Sequence, residues 1–281
     1  MSDNSNIETN EITINEIKRL IAFVKMQYKF DFGNYALSSF KRRIERILSL
    51  NSFATIDELI VKLQNDSKFY DEFLREVTVN TTEMFRSPSL WRKLRDEILP
   101  ILANYPSIRI WSAACSSGEE VYSLAIVLKE AGLLHKAKIL ATDINDVVLQ
   151  KGKDGTYWNR NMEVNENNYL RFEGKYKLSD YYSKKDDNVV FDKSLIQDVS
   201  FKTFDLVQNE QYSKFDLIFC RNVMIYFNPE LQNKVVDLFG RSLFMKGFFI
   251  VGEKETIAFC KSSERFETFS AEERIYQKIK E

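Results

Sequence analysis

The chain has 281 residues, 44% apolar and 29% charged, with 40 Lys and Arg balanced by 41 Asp and Glu. That length and composition suit one large or two smaller packed domains, and a formal net charge of −1 argues against a general nucleic-acid binder, which carries a basic excess. One histidine and three isolated cysteines argue against a Ser–His–Asp triad, a metal centre or a disulfide framework, and fit a reducing cytoplasm.

Residues 1–10 are polar and acidic and read as a disordered tail rather than a signal or transit peptide. No apolar run reaches the length of a membrane helix; the closest, SLFMKGFFIVG, is broken by Lys246 and Gly247. Residues 13–28 place Ile14, Ile17, Leu20, Ile21 and Val24 on one helical stripe. Residues 37–50, 52–65 and 67–77 read as three more helices, and no strand pattern precedes Ile108. The expected helical domain therefore covers residues 11–86, and a separate α/β domain covers 87–281.

The second helix carries Lys41, Arg42, Arg43 and Arg46. Arg42 and Arg46 share one face at a spacing of four, as do Arg43 and Arg46 at a spacing of three. This strip is either a solvated face partly neutralised by Glu45 or a docking surface for an acidic partner. Next comes VNTTEMFRSPSLW, in which Pro88 opens a helix at its first position. Arg86 stands just ahead of that start, where a cation opposes the helix dipole unless an anion is near.

The stretch IRIWSAACSSGEE, residues 108–120, organises the rest of the chain. Its order is strand, loop of small residues, helix, with Ser117 and Glu120 spaced as a capping box. Such a junction offers a ligand close backbone approach and free helical N–H groups. Gly118 is the loop's only glycine, and two acids stand at its mouth, which disfavours a pyrophosphate and favours a ligand bearing a cation and hydroxyls. S-adenosylmethionine has an ammonium, a sulfonium and a ribose. A second strand, KILAT, ends at Asp143, 25 residues after Gly118. Acids at a comparable distance accept hydrogen bonds from ribose hydroxyls in dinucleotide folds; equally, Asp143 reads as the cap of the next helix.

Residues of about 155–198, rich in Tyr, Asn, Lys and Asp, read as a small antiparallel β insertion. The parallel pattern resumes at 199–205, then in FDLIFC, an apolar run of the kind buried on both faces. RNVMIYFNPE comes next, with Asn228–Pro229 opening a helix. Glu119, Asp143, Asp205, Arg221 and Glu253 all fall near strand C-terminal ends, which in a doubly wound sheet converge on one crevice.

NTTEMFR, WSAACSSGEEVYSLAI, ATDI and above all FDLIFCRNVMIYF resemble the chemotaxis receptor methyltransferases, the CheR family, in that family's order and over nearly the whole chain. The resemblance implies an all-helical N-terminal domain joined to an α/β, Rossmann-like class I methyltransferase sheet with a small antiparallel β insertion. It implies methyl transfer from S-adenosyl-L-methionine to glutamate side chains of chemoreceptors, giving glutamyl methyl esters and S-adenosyl-L-homocysteine. Carried over by motif, Asn80, Thr82 and Arg86 surround the cofactor's methionine and sulfonium end. Glu119 binds its amino-acid or ribose portion, Asp143 its ribose hydroxyls, and Asp205 with Leu206 borders the adenine. Arg221 and Asn222 hold the cofactor, Arg86 and Tyr226 touch the acceptor, and Arg42, Arg43 and Arg46 become the docking strip. The implied partners are cytoplasmic methylation helices of membrane chemoreceptors, met by a monomeric cytoplasmic enzyme that neither enters the membrane nor binds nucleic acid. A non-catalytic cofactor-binding module and a methyltransferase for another protein are the alternatives. Met84 departs from the aromatic the family places before FR, and Asp205 from the Asn common at its position.

Overall fold

The computed structural model describes residues 12–78, 82–207 and 213–281. The chain forms two compact units that divide between Thr78 and Val79. The tail expected at residues 1–10 and the site residue Asn80 lie outside the described residues.

Among its described residues the first unit holds four α-helices, α1 (Ile14–Tyr28), α2 (Leu37–Leu50), α3 (Ile56–Asn65) and α4 (Ser67–Val77). Thr13 and Glu16 close a capping box on α1, whose Ile17, Leu20 and Val24 are buried. The stripe predicted from sequence extends to Ile14, but that residue is exposed. Phe32 seats the core, packing on Phe30, Phe40 and Phe73 at centroid distances of 4.2, 5.0 and 6.2 Å. On α2, Arg42 and Arg46 are exposed and Arg43 is half-buried. Arg46 pairs with Glu76 of α4 at 3.2 Å, and Glu45 lies 3.8 Å from Lys41.

The second unit opens with α5 (Pro88–Lys93), which runs through a π turn at Leu94–Ile98 into α6 (Leu99–Leu102). Then come β1 (Ile108–Ala113), α7 (Glu119–Glu130), β2 (Ala137–Asp143) and α8 (Asp146–Asp154). The insertion comprises β3 (Thr156–Trp158), α9 (Met162–Phe172), β4 (Tyr182–Lys185) and β5 (Asn188–Phe191). The main sheet then resumes with β6 (Val199–Thr203), β7 (Phe215–Cys220), α10 (Pro229–Ser242), β8 (Leu243–Val251), β9 (Phe266–Ser270) and β10 (Ile275–Lys278).

The seven-stranded sheet has the order β6-β2-β1-β7-β8-β10-β9. Its first five strands are parallel, and β10 pairs antiparallel with both β8 and β9. Every residue of β7 is buried, as its unbroken apolar run predicts for a central parallel strand. From β1 the chain winds out one way to β2 and β6, then crosses to β7 and β8. The strand order therefore reverses between β1 and β7, and an open α/β sheet binds its ligands outside the carboxyl ends at that point.

The expected small antiparallel sheet is present, ordered β3-β5-β4. The helix α9 inside the insertion was not expected. Its buried face alternates apolar Met162, Tyr169 and Phe172 with Asn165 and Asn168, so amides interrupt the apolar stripe that would mark a helix.

The loop between β1 and α7 departs from its predicted geometry. The N-cap of α7 is Gly118, at φ 87°, and no side chain caps the helix. Ser117 Oγ donates instead to Glu119 Oε2 at 2.8 Å, and Glu120 is drawn away by the buried Arg221. A Cβ on Gly118 would stand 3.0 Å from Gly152 Cα. The glycine thus serves close packing against α8 as well as a left-handed turn. Gly118→Ala is expected to cost about 1–3 kcal/mol, measured as a lower denaturation midpoint with unchanged slope.

Candidate active site

Two loops and one turn meet at the switch point. The first loop leaves β1 with Ala114 at φ 56°, Ser116 at 50° and Gly118 at 87°. Left-handed non-glycine residues persist only where their surroundings hold them. Cys115 N donates to Thr142 O at 2.9 Å, and Ser116 N donates to Asp143 Oδ2 at 2.8 Å. Asp143 is buried, and its Oδ1 accepts Asn145 N at 3.0 Å. It does not cap α8; Asn145 does, through Val147 N at 2.9 Å.

Burial raises the Asp143 pKa, against the pull of the N–H groups of Asn145, Ser116 and Ile144. Glu119 is half-buried at the loop's end, and desolvation pushes its pKa up to about 7 although Ser117 pulls the other way. A carboxylate offers about four acceptor positions, so neither acid is saturated by these donors. Phe204 N donates to Asp143 O at 2.9 Å, which brings the turn at Asp205 and Leu206 to the end of β2. Asp205 Oδ1 accepts Val207 N at 2.7 Å.

The turn from Met84 to Ser87 carries Arg86 and is fixed almost wholly by side chains. Phe85 and Ser87 adopt φ of 53° and 60°. Met84 N donates to Asn165 Oδ1 at 3.0 Å, and Met84 O accepts Asn168 Nδ2 at 3.1 Å. Phe85 N donates to Ser123 Oγ at 2.9 Å, and Arg86 O accepts Trp91 Nε1 at 3.0 Å. The Phe85 ring stacks on Phe172 at 5.0 Å. Thr82 is half-buried at the start of the same segment.

The second loop leaves β7 at Arg221, which is buried. Its Nη1 donates to Glu120 Oε2 at 3.2 Å, and its Nη2 to Arg86 O at 3.2 Å and Ser87 Oγ at 3.0 Å. Glu120 also accepts Ser112 Oγ at 2.9 Å. These contacts explain the missing capping box, since a buried guanidinium is the stronger partner for Glu120. They place Arg221 as a bracket between elements, while its buried Nε has no hydrogen-bond partner among the described residues. Asn222 comes next at φ 60°, and its N–H donates to Glu255 Oε2 at 2.8 Å.

Arg86, Ser87, Asn222, Ile225 and Tyr226, joined by Glu253 and Lys254 from beyond β8, line one cavity of about 180 Å³. Four of the residues singled out in the sequence, Arg86, Asn222, Tyr226 and Glu253, thus share a single pocket, while Glu119 and Asp143 flank the β1 loop. Sequence reasoning gave Glu120 to a capping box that does not form, and missed Glu255, Asn165 and Asn168, which hold the site's backbone. The only available signal was an acid or amide on a face otherwise apolar.

The donor set suits a sulfonium nucleoside. Desolvated carboxylates with spare acceptor positions fit an ammonium and ribose hydroxyls, and no run of glycine N–H groups forms a pyrophosphate cradle. Among the described residues no group of three His, Cys, Asp or Glu side chains could hold a metal ion, and no helix is long and apolar enough to cross a membrane.

Sheet order and site chemistry together define a Rossmann-like, S-adenosylmethionine-dependent methyltransferase. The profile described as CheR methyltransferase, SAM binding domain matches residues 80–275, and that described as CheR methyltransferase, all-alpha domain matches residues 15–78. The chain belongs to the CheR methyltransferase family. It is 39% identical over 263 residues to the Pseudomonas putida protein Cher3, covering 94% of this chain and 96% of that one. Chemotaxis protein methyltransferases are similar at 32% identity in Listeria monocytogenes, covering 83% of this chain and 87% of that protein. In Borreliella burgdorferi the identity is 33%, over 88% of this chain and 89% of the other.

The raised Glu119 pKa predicts a pH effect. A carboxyl whose folded-state pKa of about 7 exceeds its usual 4.5 favours the fold at low pH and loses that contribution as pH rises between the two values. Glu119→Gln is therefore expected to gain stability relative to wild type across that window and to match it in acid. Denaturant titrations at several pH values, with the difference curve compared, check this.

Proposed function

We propose that the enzyme moves the methyl group of S-adenosylmethionine to glutamate side chains on the cytoplasmic methylation helices of membrane chemoreceptors, as a monomeric cytoplasmic protein-glutamate O-methyltransferase. The observation that carries this reading is the cavity shared by Arg86, Asn222 and Tyr226. The names of the Listeria and Borreliella relatives support the choice of acceptor.

When bound, the cofactor supplies an electrophilic methyl group on a sulfonium. In this reading Asp143 takes its ribose hydroxyls, Glu119 its amino-acid or ribose portion, and Asp205 with Leu206 borders the adenine. Asn80, Thr82, Arg86 and Asn222 lie about its methionine and sulfonium end. Arg221 supports that end indirectly, through its bonds to the Arg86 turn.

A glutamate carboxylate is already ionised at neutral pH and needs no general base. The protein's tasks are alignment of the carboxylate with the methyl carbon and partial removal of water. Arg86 orients the acceptor carboxylate, and the Tyr226 hydroxyl donates a hydrogen bond that shapes its pocket. The single histidine fits this chemistry, because His135 is exposed in a short 3₁₀ turn away from the residues named.

The docking strip of Arg42, Arg43 and Arg46 on α2 supplies the remaining specificity toward an acidic helix, with Arg42 exposed and Arg46 exposed beside Glu76. Incubation of receptor-bearing membranes with methyl-labelled cofactor is expected to give label on receptor that base releases as methanol. Cofactor binding without transfer would instead identify a regulatory module, and base-stable label a different acceptor. Arg42→Glu is expected to raise the receptor KM by up to about fivefold with cofactor affinity unchanged.

A further inference from the structure

Glu255 is a buried acid with no part in the chemistry assigned to Arg86 and Tyr226. It lies four residues beyond β8 and is 4% exposed. Its Oε2 accepts Gly252 N at 2.6 Å and Asn222 N at 2.8 Å, and its Oε1 accepts Ile225 N at 3.2 Å. One carboxylate thus gathers N–H groups from the exits of both β7 and β8. Those strands are paired up to Cys220 and Val251, so beyond that point the carboxylate continues a connection that the sheet no longer makes.

The surroundings are built for it. A Cβ on Gly252 would stand 2.7 Å from Asn222 Nδ2, 2.8 Å from Glu255 Oε2 and 3.0 Å from Asn222 N, so a side chain there would displace the carboxylate and the loop it holds. Asn222 sits at φ 60°, a left-handed conformation that asparagine tolerates better than most residues, and the Glu255 bond to its N–H fixes it there. From the other side, Gln232 Nε2 donates to Met224 O at 3.0 Å and Phe227 O at 3.2 Å. Burial raises the Glu255 pKa against the N–H groups that lower it. The buried acid therefore carries a cost that hydrogen bonding only partly offsets.

We propose that Glu255 is a positioning residue for methyl transfer, whose carboxylate sets the Asn222–Tyr226 loop so that Asn222 and the Tyr226 hydroxyl face the cavity in register with Arg86. The proposal rests on the reading that this cavity receives the acceptor. Glu253 and Lys254 line that cavity, whereas Glu255 is turned into the protein and acts through the backbone. A carboxamide has one acceptor oxygen in place of two and no charge to strengthen the bonds it accepts, so Glu255→Gln weakens its hold on the N–H groups of Asn222, Gly252 and Ile225 together.

The test combines kinetics with amide exchange. Glu255→Gln is expected to lower kcat about 10- to 100-fold, as a small misplacement of a catalytic group does, and to weaken cofactor binding as well, because Asn222 lies at the cofactor's sulfonium end. Tyr226→Phe is expected to lower kcat by a smaller factor. The double variant should be no slower than Glu255→Gln alone, because a misplaced hydroxyl has little left to lose. Gly252→Ala crowds the same loop from the β8 side and should show the same non-additivity if Glu255→Gln folds poorly. Amides of Asn222 and Ile225 should exchange faster in Glu255→Gln while those of Leu217 and Ile218 in β7 stay protected. Multiplying kinetic effects, or unchanged exchange at Asn222 and Ile225, would overturn the proposal. A wild-type enzyme that methylates no receptor glutamate would remove the functional reading alone, since the exchange result needs no substrate.

Discussion

A single buried guanidinium ties the methyltransferase unit's site together. Arg221 stands at the end of the central strand β7 and reaches both the first turn of α7, through Glu120, and the turn that carries Arg86. Removing one partner of a buried ion pair typically costs about 3–5 kcal/mol, because the other charge stays behind without compensation. Here that cost has a structural use. It obliges the strand, the helix start and the Arg86 turn to keep one arrangement, and that arrangement is the crevice.

The same device recurs around the site with other residues. Asp143 fixes the β1 loop, Glu255 the two strand exits, and the amides Asn165 and Asn168 the Met84 backbone. All three chain segments include left-handed residues that are not glycine, at Ala114, Ser116, Phe85, Ser87 and Asn222. Local strain of this kind needs external restraint, and buried polar side chains supply it. The acids Glu119, Asp143 and Glu255 are all pushed towards protonation by burial. The site thus spends stability to hold acceptor atoms ready for a cationic, hydroxyl-bearing ligand.

Much of this was legible in the sequence, for physical reasons that differ by element. The apolar run FDLIFC announced a strand buried on both faces, and Asn228–Pro229 announced a helix start; both report local forces that nothing else in the fold opposes. The β1 loop showed its small residues and its flanking acids, yet the predicted capping box did not form. Glu120 had the right spacing, but its partner lies 101 residues away at Arg221, and spacing rules see only neighbours. Helix α9 was hidden because Asn165 and Asn168 sit where an apolar stripe should run, serving the Met84 turn some 80 residues earlier. Asp143 left two readings open, cap or ribose acceptor. The structure removes the first by giving the cap to Asn145.

The most direct measurement is a crystal structure of the enzyme with S-adenosylhomocysteine. The account predicts the nucleoside across the carboxyl ends of β1 and β2, its ribose hydroxyls on Asp143, with Arg221 still bonded to Glu120 and to the Arg86 turn. A ligand seated elsewhere, or an Arg221 that leaves Glu120 to take the ligand itself, would contradict it.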